Sequence, residues 1–434
     1  MRSFAGRMCR GGVVVVLACG GGVRPLAAQE PVTVTLDEAI ERALEVAPAM
    51  LDAESGRAVA GATQLTTRGA WLPALSLGGT FANSSNERFD QATGQLVSQN
   101  YSAQAQGSVQ LFTGGRRFAQ GRAASAGVRS ADADLRAQRF ATILATTQAY
   151  YDAAAAQDLL RAAEQRLGRA EQQLDFAQTR LEVGTATRSD ALRAELERGN
   201  AQLAVLEANA GLRTAALQLG RRVGVEGEVR PADDALPDRA PELPATETLV
   251  ARALSSSPSV VAAEADLQSR HAERLASYTG YLPTAQLAGG YDWFAFDFPP
   301  SQRSWNMRLT VSLPILNGFQ REAALQRTAA AERAAAGRAQ DARIAARADV
   351  EAAVLTIESA GQRVQIADRS VELAEEDLRV QEERYQIGAA TILDLQTSQV
   401  TLADAENARV LARQALGTAV ARLEAILGQR IGAR

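Results

Sequence analysis

Few residues in this chain could do chemistry. His271 is the only histidine; it sits on an expected helix among Arg270, Glu273 and Arg274 and reads as a solvated surface residue. The two cysteines, Cys9 and Cys19, both fall in the first 28 residues. One histidine and no later cysteine cannot build a zinc site without several carboxylates. No Ser-His-Asp set can form near any motif. No phosphate loop is present either: Gly20-Gly21-Gly22 lies in the leader and Gly114-Gly115 leaves a strand. Acid pairs such as Glu375-Glu376 and Glu382-Glu383 fit a solvated coiled-coil face. The sequence therefore assigns no catalytic, cofactor-binding or metal residue and points away from an enzyme. What remains is a pair of aspartates, Asp190 and Asp394, each just after a break in a long helical pattern. Their chemistry is electrostatic. They stabilise the positive end of the helix they begin.

The two breaks are near copies. One reads Arg180-Leu181-Glu182-Val183-Gly184-Thr185-Ala186-Thr187-Arg188-Ser189-Asp190, the other Arg384-Tyr385-Gln386-Ile387-Gly388-Ala389-Ala390-Thr391-Ile392-Leu393-Asp394. Gly184 and Gly388 allow the left-handed backbone that ends a helix. Thr187 or Ser189, and likewise Thr391, can cap the next helix. Each copy is expected to be the tip of a helical hairpin.

The chain of 434 residues is mildly acidic, and every basic residue is arginine. Abundant alanine with Glu, Gln, Leu and Arg suits closely packed coiled-coil helices. No basic stripe with interleaved aromatics points to nucleic acid. The start resembles an export signal, residues 1–28: Arg2, Arg7 and Arg10, then a short valine run, then Leu26-Ala27-Ala28 before Gln29. Lipidation at Cys19 competes with cleavage near Ala28, and cleavage is the expectation. It would remove both cysteines, four arginines and no acid. No later run of apolar residues is long enough for a membrane helix, so any spanning part must be β.

In chain order, Val32–Ala47 is expected to be a helix, and Pro48 opens a second. Residues 71–112 alternate as a β-hairpin around a polar loop, Ser84–Asn100. Residues 119–223 form a long helical hairpin. Its first arm, roughly 90–95 Å long at 1.5 Å per residue, carries the seam Leu160, Ala163, Leu167, Ala170, Leu174, Ala177, Leu181. Leu192, Leu196, Gly199, Leu203 and Leu206 return on the matching pattern. The proline-rich stretch 225–245 is a linker between repeats 29–224 and 246–434. The second repeat holds a hairpin at 281–316 and a long helical hairpin at 320–428. Tyr281-Leu282-Pro283 repeats Trp71-Leu72-Pro73 at an offset of 210, and Gly388 and Asp394 repeat Gly184 and Asp190 at 204. The chain is a long internal duplication.

Four strands cannot close a membrane barrel, since the smallest have about eight. The strands are either a soluble sheet or are pooled by several chains. Aromatic placement favours the barrel. Trp71 and Tyr281 lie at the helix-side strand ends, while Trp293 and Trp305 lie towards the loop side, as membrane-interface girdles would. Helices this long have no globular core to lie on, so they are expected to ring the barrel axis as a tube.

These features resemble the TolC family of outer-membrane efflux proteins over nearly all of the mature chain. The residues that carry the resemblance are Val34-Thr35-Leu36-Asp37-Glu38-Ala39, Leu72-Pro73, Leu282-Pro283, Leu111-Phe112-Thr113-Gly114-Gly115 and Val183-Gly184-Thr185 with Asp190. The resemblance implies a mainly α fold with a small β part. Coiled-coil hairpins would form a periplasmic tunnel, and four transmembrane strands per chain would build a twelve-stranded barrel in a homotrimer. It further implies an exit duct of an efflux or type I secretion system in the cell outer membrane, without cofactor. Its partners would be a periplasmic adaptor and an inner-membrane transporter. Val183, Gly184, Thr185, Ile387, Gly388 and Ala389 would contact the adaptor, and Asp190 and Asp394 would line the periplasmic entrance. Ala389 departs from the family's hydroxyl residue, and Thr397 stands where some relatives carry a second acid. The competing reading is a periplasmic coiled-coil adaptor or scaffold without a pore.

Overall fold

The computed structural model describes residues 32–90, 94–233 and 235–431. The expected leader, with Cys19 and Ala28, lies outside the described residues.

The first correction is at the start. Val32–Val34 is not helical but a short strand, β1, and helix α1 spans Leu36–Val46. Thr35 separates them because its hydroxyl accepts from the Glu38 amide while Glu38 bonds the Thr35 amide, a reciprocal cap. Pro48 opens α2, Pro48–Gly69. Strands β2, Ala74–Asp90, and β3, Gln95–Phe112, extend well into the expected polar loop. Helix α3, Arg116–Glu182, has 67 residues and α4, Arg188–Val223, has 36. The linker contains strand β4, Val229–Pro231, which pairs in parallel with β1. That long-range partner supplies the β1 hydrogen bonds, and nothing near Val32 in sequence announces it.

The second repeat restates the first. Helices α5, Thr246–Ser256, and α6, Pro258–Tyr278, precede strands β5, Thr284–Ala295, and β6, Gln302–Ser312. Helix α7, Gln320–Gln386, again has 67 residues and α8, Ile392–Leu427, again 36. At 1.5 Å per residue, α3 and α7 are each about 100 Å long.

The four long strands form one antiparallel sheet in the order β2-β3-β5-β6. Its two faces differ, as the period of two requires. One carries Leu75, Leu77 and Phe81 on β2 and Met307, Leu309 and Val311 on β6, all exposed. The other carries Ser76, Gln104, Gln106, Gln286, Asn306 and Thr310. Among the described residues, the outer edges of β2 and β6 are unpaired. Among the described residues, no helix is long and apolar enough to cross a membrane.

The core is a seam rather than a ball. Leu249, Val250, Val350, Ile357, Leu416, Leu423 and Leu427 bury one another between α5, α7 and α8. Val34, Ala39, Tyr150, Leu219 and Val229 do the same under the β1–β4 pair. The linker lies across α3 and α8, where Leu236 packs with Ala154, Ala155 and Val410. Arg413 reaches Asp238 at 3.0 Å and Asp368 at 3.2 Å. Gly417 lets α8 approach α3 closely: a Cβ there would meet the rigid Tyr151 ring at 2.7 Å.

A second correction concerns α4. Leu192, Leu196, Leu203 and Leu206, expected on the seam with α3, are exposed. Ala194 and Ala201 are fully buried instead, with Ala194 packed against Leu174 and Ala177. Alanine permits the closer helix approach, so the leucine stripe turns away from the hairpin.

Candidate functional site

The two tips are built alike. Gly184 and Gly388 have φ of 76° and 78°, left-handed values that a side chain strains. Past Gly184, the Thr185 amide donates to the Arg180 carbonyl at 2.9 Å; past Gly388, the Ala389 amide donates to Arg384 at 2.8 Å. These bonds satisfy carbonyls that a helix end leaves free. Val183 and Ile387, at the helix C-caps, are 68% and 80% exposed, so each tip offers an apolar side chain to solvent.

The return helices start with matching caps. Thr187, not Ser189, caps α4: its hydroxyl accepts from the Asp190 amide, and Asp190 Oδ2 accepts from the Thr187 amide at 2.9 Å. Thr391 and Asp394 repeat the arrangement at 2.9 Å. The hydrogen bonds from Thr391 hold the Asp394 carboxyl below its usual range. Both aspartates therefore serve as helix-start groups beside the tips.

The tips are not identical. Thr185 donates its hydroxyl to the Arg180 carbonyl at 3.2 Å, and Ala389 has no hydroxyl to match it. A larger difference was not anticipated from the sequence. Arg180 crosses to the second hairpin, where Nη1 donates to the Tyr385 carbonyl at 2.8 Å. Its guanidinium lies 5.2 Å from the Tyr385 ring and 5.7 Å from Phe176. Tyr385 is buried, and burial pushes its phenol up. About three turns further in, Arg169 clasps the buried Glu406 carboxylate at 3.1 Å and 3.4 Å. The only sequence signal for these contacts is that Tyr385 stands where the first repeat has Leu181.

The aromatics at the strand ends are anchored too. Trp71 lies under the Arg117 guanidinium at 4.4 Å and edge-on to Phe118 at 4.7 Å. Arg117 turns back to the carbonyls of Ala70, Gln110 and Leu111. Tyr281 repeats this under Arg321 at 4.7 Å, and Arg321 bonds the Pro314 and Ile315 carbonyls. Towards the loops, Trp293 packs on Tyr291 at 4.7 Å, and Tyr291 faces Trp305 across the ladder. His271 is exposed, with Nδ1 2.7 Å from Glu332.

The architecture has known counterparts. The family model described as outer membrane efflux protein matches residues 39–225 and 249–429. A search of curated proteins finds no match. Among solved structures, CusC, described in connection with transmembrane channel formation, superposes with TM-score 0.78 at 19% identity, over 92% of this chain and 94% of that one. The outer membrane protein VceC of Vibrio cholerae gives 0.74 at 17% identity, over 91% and 96%. The open MtrE outer membrane channel of Neisseria gonorrhoeae gives 0.74 at 21%, over 91% and 89%.

Proposed function

The chain belongs to the outer membrane efflux protein family, exit ducts of the outer membrane with a helical periplasmic domain, and from that premise we propose that three copies close into one duct worked from its periplasmic tips. The observation that carries the closure is the pair of unpaired sheet edges, β2 and β6, beneath an apolar face that lipid would cover. A lipid-embedded sheet cannot keep open edges. Three sheets joined β6 to β2 give twelve strands. A pore-less adaptor has no use for such a sheet.

The helices support the same closure. Within the chain, α3 packs on α8 through the Arg169–Glu406 pair. The duplication offset of 204 carries these two residues to Leu373 on α7 and Gln202 on α4. Both α4 and α7 are free edges, and they carry exposed Leu196, Leu203 and Leu206, and Leu355, Ile366 and Leu373. The seam between copies is thus apolar where the seam within a copy is ion-paired. The test is Gln202→Cys combined with Leu373→Cys in the full chain. Oxidation gives disulfide-linked dimers and trimers if α4 meets α7 of the next copy. Monomer alone would overturn the arrangement.

At the far end, the tips Val183-Gly184-Thr185 and Ile387-Gly388-Ala389 meet a periplasmic adaptor coupled to an inner-membrane transporter. The exposed Val183 and Ile387 support this reading. Asp190 and Asp394, three copies of each, give the entrance a cation-preferring ring.

A further inference from the structure

Just below the strand ends, α2, α3 and α6 enclose a groove of about 650 Å³. Arg68, Arg117, Arg122 and Arg129 line it with Trp71 and Phe118. Phe118, Arg122 and Arg129 belong to a stripe of three- and four-residue steps that continues down α3 to Tyr150. Tyr150 is buried under the β1–β4 pair and α1. A duct has room for such added elements only on its outer wall. The groove therefore opens outward, within the first turns below Ala74 and Phe112, where the headgroups of the periplasmic leaflet lie.

The groove holds uncompensated positive charge. Among the described residues, no carboxylate pairs with Arg68, Arg122 or Arg129. Arg117 is only 9% exposed, and its Nε is buried without a partner. The duplication keeps only part of this charge: Arg117 and Arg129 recur as Arg321 and Arg333. The counterparts of Arg68, Phe118 and Arg122 are Tyr278, Glu322 and Gln326. There Glu322 accepts from Tyr281 at 3.3 Å, and Glu332 takes Arg274 at 2.9 Å. The second repeat thus places two carboxylates, Glu322 and Glu332, where the first has Phe118 and Val128.

We propose that this groove binds the phosphate headgroup of a phospholipid in the periplasmic leaflet. The acyl chains run past Trp71 along the apolar row of β2, Leu75, Leu77 and Phe81. Arginine suits the planar, multidentate recognition of phosphate, and Trp71 marks the interface depth. The proposal rests on the outer-membrane duct reading.

The test is native mass spectrometry of the full-length protein in detergent, titrated with dioleoylphosphatidylglycerol, with inorganic phosphate as competitor. Arg68→Gln with Arg122→Gln, both exposed positions, is expected to weaken lipid retention roughly ten- to thirty-fold at about one kcal/mol per arginine. Gln326→Ala in the second repeat is expected to leave retention unchanged. Equal retention by the double arginine variant would overturn the proposal. So would displacement of the lipid by inorganic phosphate at equal concentration, which would make this a free-anion site. Bilayer conductance of the same preparations reads the duct separately. Normal conductance with lost lipid supports the proposal, whereas wild-type protein that never conducts would fail the duct reading itself.

Discussion

Arg180 donates through Nη1 to the backbone carbonyl of Tyr385 at 2.8 Å, fastening the first hairpin tip to the second. Its repeat counterpart Arg384 stays at home and donates to Ala389 in its own tip at 3.4 Å. The tips of one chain are thus tied by a charge-assisted bond. The same residue type on the free side of the second tip makes no such tie within the chain.

Replacing Arg180 with Gln removes this tie and the stacking on Tyr385 and Phe176. The expected result is a looser periplasmic end: single-channel recordings give more frequent or larger openings than wild type, with the trimer intact on gel filtration. Arg384→Gln, which loses only a bond inside its own tip, is expected to change the openings much less.

The caps at Thr187 and Thr391 carry a second expectation. Thr391→Ala is expected to cost about 1 kcal/mol of local stability, seen as faster amide exchange in the first turn of α8. Because the folded-state pKa of Asp394 is depressed, its contribution is present above the ordinary carboxylate range and is lost as pH falls through the lowered value. Exchange at that turn should therefore rise as the medium is acidified into and below the carboxylate range. In Asp394→Asn, that acid-dependent step should be missing.

Gly184 and Gly388 hold φ near +76° and +78°, values closed to proline, whose ring fixes φ near −65°. Gly184→Pro or Gly388→Pro is expected to abolish export in cells while leaving assembled trimer in the outer membrane. Loss of the trimer as well would place these residues in assembly instead.

The two kinds of seam separate by mutation. Leu373→Glu places a charge on the apolar face offered to the next copy, and trimer yield by cross-linking is expected to fall sharply. Arg169→Ala leaves the Glu406 carboxylate buried without its partner, at a cost of about 3 kcal/mol or more. That loss lies inside one chain, so cross-linked trimer is expected to persist while the melting temperature drops.

These contrasts also mark what the sequence made legible. The duplication, the hairpin tips and the alternation of the strands are periodic, local signals, and Gly184, Thr391 and Asp394 could be placed from them. The pairing of Val32–Val34 with Val229–Pro231 could not, because neither strand carries a mark of a partner so distant in sequence. The α4 leucines misled for a different reason. Leu196 and Leu203 keep a coiled-coil spacing, but the helix has two stripes, and Ala194 and Ala201 won the inner one by permitting closer approach. Arg180–Tyr385 and Arg169–Glu406 were hidden because they join different repeats, where no local spacing applies.

The central claim is that this chain makes an outer-membrane duct, and conductance tests it most directly. Purified full-length protein reconstituted into a planar lipid bilayer is expected to insert in uniform steps of discrete conductance, with Arg180→Gln raising the open fraction. Protein that remains in the soluble periplasmic fraction and never conducts would contradict the account.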